Sequence, residues 1–334
     1  MPRNPKLYLR GSLIEVCSRI EEGLPLVPNE LNCLIIGSIM ARAQTMYPVT
    51  IVAYSFVSNH FHMLFVVNNP EHISSFLCYL KRESAHAINA MTGRRQHTVW
   101  CERFDSPVIL DPKMAIERLS YVYLNPVEAG LCQRAKDWPF SSASWVDFGK
   151  KVSFQRFKPI PRTKIPRLPD ETLSSKEILA LCKELEELPG EYFSLIIEPH
   201  AWKDCFSETS LRTTKDVHEL VFNKIKLEEE RLKSKRGKEG KTCPKLSDLK
   251  LQNIRKEYRP TKFGKKMLCL ASEAIVRFEF MKWLKDRFKL LPCYLRRQGK
   301  DFLKTMHYPP GFFAPGGFLS ANLLPIHTPL PHIT

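Results

Sequence analysis

The sequence predicts an α+β fold: a ferredoxin-like antiparallel sheet with helices on one face, followed by a mostly helical, basic C-terminal region. Three observations carry this. Between residues 12 and 124 the apolar spacing switches between strand and helix periods in the order strand, helix, hairpin, helix, strand, helix. The apolar run from Ile51 to Val67 is interrupted by Ser58-Asn59, as two strands joined by a short turn would be. Beyond Phe148 the chain turns basic and Pro-rich, then helical.

Each element has its own signal. Residues 12–18 alternate as a short strand, and residues 29–43 carry apolar residues at helical spacing with Asn29 as N-cap. Residues 49–57 and 61–67 form the hairpin. Residues 73–91 read as helix, 99–110 as extended chain, and 112–124 as helix, with Asp111 as cap and Pro112 in the first turn. Asn125-Pro126 is a stop signal, because a residue before proline avoids the helical region. Residues 158–169 hold four prolines among basic residues and predict an extended linker. Residues 175–188, 216–235 and 262–289 read as helices, and the tail from Tyr308 lacks periodicity. The expected division is therefore 1–148, a linker over 149–170, a helical basic region over 171–307 and a Pro/Gly-rich tail over 308–334.

Composition narrows the function classes. No apolar run approaches the length of a membrane helix, and no apolar signal core follows the basic start, which predicts a cytoplasmic chain without export or membrane partner. Ten cysteines include no Cys-x-x-Cys pair, so zinc-knuckle and dithiol redox chemistry find no support. The absence of a Gly-x-x-x-x-Gly-Lys-Ser/Thr loop argues against a nucleotide cofactor. The net charge of +16 is unevenly placed: Lys and Arg exceed Asp and Glu by 15 to 13 in residues 1–150 and by 36 to 22 in residues 151–334. Between Arg231 and Lys266, fourteen basic residues face three acidic ones, a stretch that suits a polyanion or, alternatively, a solvated loop.

Two short segments carry chemistry. His60 and His62 stand two apart in a strand, so their imidazoles share a face and can grip one metal ion; hydrogen-bonded imidazoles are the bland alternative. Tyr121 and Asn125, four apart, share a helix face, although Tyr121 can also pack as core and Asn125 can simply end the helix. Tyr123 points to another side. A cation held by two imidazoles and an amide oxygen can polarise a phosphodiester, which a tyrosine hydroxyl can then attack. Trp100, Arg103 and Phe104 suit stacking on bases, and Arg94, Arg95, Lys235 and Arg236 suit phosphates, though core packing and solvated surface explain such residues equally well.

His60-Phe61-His62 resembles the His-hydrophobic-His signature of HUH endonucleases, and its surroundings resemble the REP-associated branch of single-tyrosine transposases. Four further blocks are similar in order: Met1 to Lys6, Gly93-Arg94-Arg95 through Phe104, Tyr121 through Leu131, and Asp137-Trp138-Pro139-Phe140-Ser141-Ser142. The resemblance covers about residues 1–148. It implies an HUH fold with the His pair on a central strand and Tyr121, the first of the two tyrosines, as nucleophile on a nearby helix. It further implies a Mg²⁺ or Mn²⁺ cofactor on His60, His62 and Asn125, although imidazole with amide suits Zn²⁺ or Ni²⁺ too. The implied function is transposition: nicking and rejoining of single-stranded or hairpin DNA through a 5′-phosphotyrosine, by a nucleoid-associated monomer or homodimer. A hairpin-binding protein or repressor without turnover, and a replication-initiator nickase, are the alternatives.

Overall fold

Near-continuous burial along Leu13–Arg19 marks β1 as an inner strand covered on both faces, with Leu13, Ile14, Glu15 and Val16 all inaccessible. The computed structural model describes residues 8–21, 29–57, 59–94, 98–101, 104–169, 173–240 and 267–296. Helix α1 (Glu30–Met46) follows, its first turn capped by Asn29, whose side chain accepts from the Asn32 amide. Strands β2 (Thr50–Val57) and β3 (His60–Val66) form the expected hairpin, and α2 (Pro70–Thr92) ends at Gly93 in the left-handed region, φ 66°. β4 is only Val108–Ile109. Most of the stretch expected to be extended touches β1 through single bridges, Ile20 to Trp100 and Cys17 to Asp105.

The sheet order β2-β3-β1-β4 with antiparallel pairing is the ferredoxin-like arrangement, and β7 (Cys269–Leu270) adds a parallel strand outside β4. Register sets the faces. Cys17 stands opposite His62 and Arg19 opposite His60, so Glu15, Cys17, His60 and His62 share one face, while Phe61, Met63 and Phe65 occupy the other. Phe65 meets Phe76 of α2 on that second face at 5.7 Å between ring centroids, and α1 packs beside α2. The two helices of the βαββαβ unit thus lie together as expected. Helix α3 (Pro112–Glu128) covers the histidine face, so the complete layering is two-sided.

Asp111 caps α3 through the Met114 amide, with Pro112 in the first turn, as its sequence predicts. The helix does not stop at Leu124. Pro126 lies in its last turn, and the Ala129 amide reaches the Asn125 carbonyl before Gly130 (φ 76°) ends the element. Pro126 has no amide to offer the Val122 carbonyl, yet the helix runs to Glu128 before it ends.

The segment Trp138 to Ser142 closes the outer edge of β2. Trp138 Nε1 donates to the Phe56 carbonyl at 2.7 Å, and the Phe56 amide donates to the Phe140 carbonyl at 2.9 Å. Ser142 Oγ accepts from the Tyr54 amide at 3.0 Å, and Ser141 Oγ donates to the Tyr54 carbonyl at 3.2 Å.

Residues 149–170 are not an extended linker. They carry β5 (Ser153–Phe157), which pairs antiparallel with β6 (Phe193–Ile197), a partner the Pro-rich composition conceals. Ser38 Oγ donates to the Lys158 carbonyl, Arg162 forks onto Glu83, and the Leu168 amide reaches the Met91 carbonyl, tying the segment to α1 and α2. Nor is the boundary at 148 a break between cores. Helix α4 (Ser175–Glu186) packs on α1, Trp202 is fully buried before the short α5 (Ser207–Ser210), and α6 (Thr214–Lys238) lies along α3. Helix α7 (Ala274–Arg296) follows β7. Residues 241–266 of the basic stretch and the tail 308–334 lie outside the described residues. No helix among the described residues is long and apolar enough to cross a membrane.

Gly37 of α1 lets the Phe157 ring lie directly on the helix backbone, where an added Cβ would collide with it. Replacing Gly37 by Val is expected to destabilise the chain by about 1–3 kcal/mol, because overpacking exceeds the roughly 0.5 kcal/mol that exchanging a helical glycine for a β-branched residue returns. Urea unfolding reads this as a lower midpoint; an unchanged midpoint would mean that β5 does not press on α1.

Candidate active site

Strand β3 and helix α3 bring the predicted chemistry together. His60 and His62 meet edge to face at 5.1 Å between ring centroids, and His62 meets Tyr121 in the same manner, also at 5.1 Å. Asn125 lies one turn beyond Tyr121, buried, with no hydrogen-bond partner for its Oδ1. Tyr123 belongs to the core instead: it is 1% exposed and packs edge-on against Phe148.

Both imidazoles are tethered by Nδ1. His60 Nδ1 lies 2.8 Å from Asn59 Oδ1, and His62 Nδ1 lies 2.8 Å from Glu15 Oε1. In the neutral ring each acceptor favours the tautomer with hydrogen on Nδ1, which puts the lone pair on Nε2. The Nε2 of His62 has only a soft neighbour, the Cys17 sulfur at 3.8 Å. The two imidazoles, which meet ring to ring, could offer Nε2 donors to a cation, and Asn125 Oδ1 is an orphaned oxygen on the helix face that carries Tyr121. Among the described residues no group of three His, Cys, Asp or Glu side chains is arranged for that task.

Electrostatics separate the two histidines. Burial drives His60 down to about 3, helped by the positive fields of His62 and Arg19. Burial also opposes charge on His62, but Cys17 and Glu15 outweigh it and raise the imidazole well above its ordinary value, so a cation binding at Nε2 would have to displace a proton there. Burial would raise Glu15, yet the hydrogen bonds from His62 and Arg118 hold it well below the carboxylate range. Desolvation raises the Tyr121 phenol despite the Arg118 guanidinium 4.1 Å above its ring, so the hydroxyl is protonated at neutral pH.

Sequence reasoning passed over Glu15 and Arg118. An acid at an inward position of the apolar stretch Leu13–Val16 was the available signal, as was an arginine three residues before Tyr121 on one helix face.

The expected DNA contacts fare differently. Trp100 is not presented to a base: it is 9% exposed, packs edge-on against Phe61, donates from Nε1 to the Lys81 carbonyl and is covered by the Lys81 ammonium. Arg236 is partly buried and reaches the Cys132 carbonyl at 3.4 Å, docking α6 beside the exit of α3, whereas Lys235 is exposed. Arg94 follows the left-handed Gly93 and is part-exposed. Arg95 and Arg103 lie outside the described residues.

Residues 34–111, which include the histidine pair and end before Tyr121, match the family model described as Transposase IS200 like. This segment is therefore similar to IS200-like transposases. Similar curated proteins are a REP-associated tyrosine transposase of Haemophilus influenzae, 30% identical over 105 residues, and one of Escherichia coli K12, 27% identical over 96. The matches cover 29% and 28% of this chain, and the chain spans only 60% and 54% of those relatives' length. A solved REP-associated tyrosine transposase bound to a REP hairpin is 20% identical, with a TM-score of 0.37 over 42% of this chain and 82% of that one.

Proposed function

We propose that this chain, part of which is similar to IS200-like transposases, is a DNA transposase that nicks and rejoins single-stranded or hairpin DNA through a 5′-phosphotyrosine. The observation that carries the reading is the contact of His62 on β3 with Tyr121 on α3, which joins the histidine pair to a hydroxyl in one half-buried site. The Tyr121 oxygen attacks the scissile phosphorus. One P–O bond forms to tyrosine as the bond to the 3′ oxygen breaks; the phenol loses its proton and the departing 3′ oxygen gains one. A second 3′ hydroxyl reverses the exchange, so joining needs no ATP.

The residues present fit a divalent cation, Mg²⁺ or Mn²⁺. Two Nδ1-tethered imidazoles leave both Nε2 atoms open, and the orphaned Asn125 oxygen is a hard donor that lacks a protein partner. Bound there, the ion would draw charge from the phosphoryl oxygens. Asn125 supports the reading through its place on the helix, one turn from the nucleophile.

Incubating the full chain with Mn²⁺ and labelled single-stranded hairpins tests this, with REP-type hairpins heading the panel because the curated relatives are REP-associated. A protein–DNA adduct that survives a denaturing gel is expected. Tight binding without adduct across the panel would instead favour a hairpin-binding protein without turnover.

A further inference from the structure

Glu15 stands where the two halves of the site meet. Its carboxylate is 2% exposed and takes three hydrogen bonds: His62 Nδ1 to Oε1 at 2.8 Å, Arg118 Nη2 to Oε1 at 2.6 Å and Arg118 Nε to Oε2 at 2.5 Å. The guanidinium lies 4.1 Å over the Tyr121 ring, and Tyr121 in turn meets His62 edge to face. Glu15, His62, Tyr121 and Arg118 therefore close a ring of contacts drawn from β1, β3 and α3.

Stability alone is a poor account of this arrangement, since well-packed apolar residues commonly replace a buried ion pair at no cost. A carboxylate behind a ligating histidine, by contrast, fixes its tautomer and ring orientation. The planar fork of arginine suits simultaneous bidentate pairing and stacking on an aromatic face, which a lysine ammonium cannot reproduce.

We propose that Glu15 is a positioning residue: it holds His62 with the Nε2 lone pair free for a divalent cation and, through Arg118, holds the Tyr121 ring in line with that cation site. The inference rests on the reading of Tyr121 as nucleophile and of the histidine pair as cation holders. Glu15 acts on the cation through His62 and on the nucleophile through Arg118, without touching DNA.

The test uses the full chain and two readouts: Mn²⁺ affinity without DNA, by electron paramagnetic resonance, and adduct kinetics on the hairpin the wild type cuts. Glu15→Ala is expected to weaken Mn²⁺ binding about 10- to 100-fold. Glu15→Gln, which preserves volume and one acceptor for Nδ1, should show a smaller loss in the same direction and decides the matter if the alanine variant does not fold. Arg118→Lys should slow adduct formation at saturating DNA about 10- to 100-fold, with little change in KM, and should weaken Mn²⁺ binding less than Glu15→Ala does, since lysine can still pair with Glu15. Glu15 variants with wild-type Mn²⁺ affinity would overturn the hold on His62. An Arg118→Lys loss confined to KM would mean that arginine binds DNA rather than positions tyrosine. A wild type that binds Mn²⁺ yet yields no adduct on any hairpin would defeat the transposase reading, while the affinity comparison would still judge Glu15.

Discussion

Replacing Tyr121 by Phe is expected to abolish the covalent protein–DNA adduct, a loss of at least roughly a thousandfold, because no oxygen remains to bond phosphorus. The ring should stay in place, since it packs T-shaped against His62 and lies under the Arg118 guanidinium, contacts that a phenyl ring also makes. DNA affinity, read by gel shift, should therefore remain within a few-fold of wild type. Tyr123→Phe is the matched control: that hydroxyl is buried against the core, away from the histidine face. Adduct lost in Tyr123→Phe but kept in Tyr121→Phe would overturn the assignment.

Removal of a histidine should be almost as severe. His60→Ala is expected to abolish metal-dependent cleavage, and a chelator should reproduce the loss in the wild type. It is the cleaner of the two substitutions. His60 is hydrogen-bonded to its neighbour Asn59, whereas His62→Ala also strips a hydrogen bond from the buried Glu15 and so mixes catalysis with stability. Asn125→Ala should be milder, because water can replace one neutral oxygen donor. Full cleavage in excess chelator would falsify the metal assignment.

The elements that lead up to the site were legible because each is specified locally. Asp111-Pro112 starts α3, the Ser58-Asn59 interruption marks the hairpin, and spacings of two and four place the histidines on one strand face and Tyr121 with Asn125 on one helix face. What escaped detection is specified by partners distant in sequence. Glu15 meets His62 and Arg118 only through sheet register and the passage of α3 over the sheet, separations of 47 and 103 residues. β5 is concealed by the prolines after it and is completed by β6. Trp100 looked like a stacking surface because sequence shows the ring but not that Phe61 and Lys81 already cover it.

The segment Trp138 to Ser142 also governs how two copies of this chain can meet. A terminal strand normally offers its amides and carbonyls to any other strand. Here Tyr54 and Phe56 have given theirs to an indole, two serine hydroxyls and a backbone loop, and the Ile51 carbonyl has accepted from the Glu198 amide. A second molecule could not lengthen the sheet at Tyr54 and Phe56 without first prising off that clasp, so strand pairing between copies is barred along this stretch of β2.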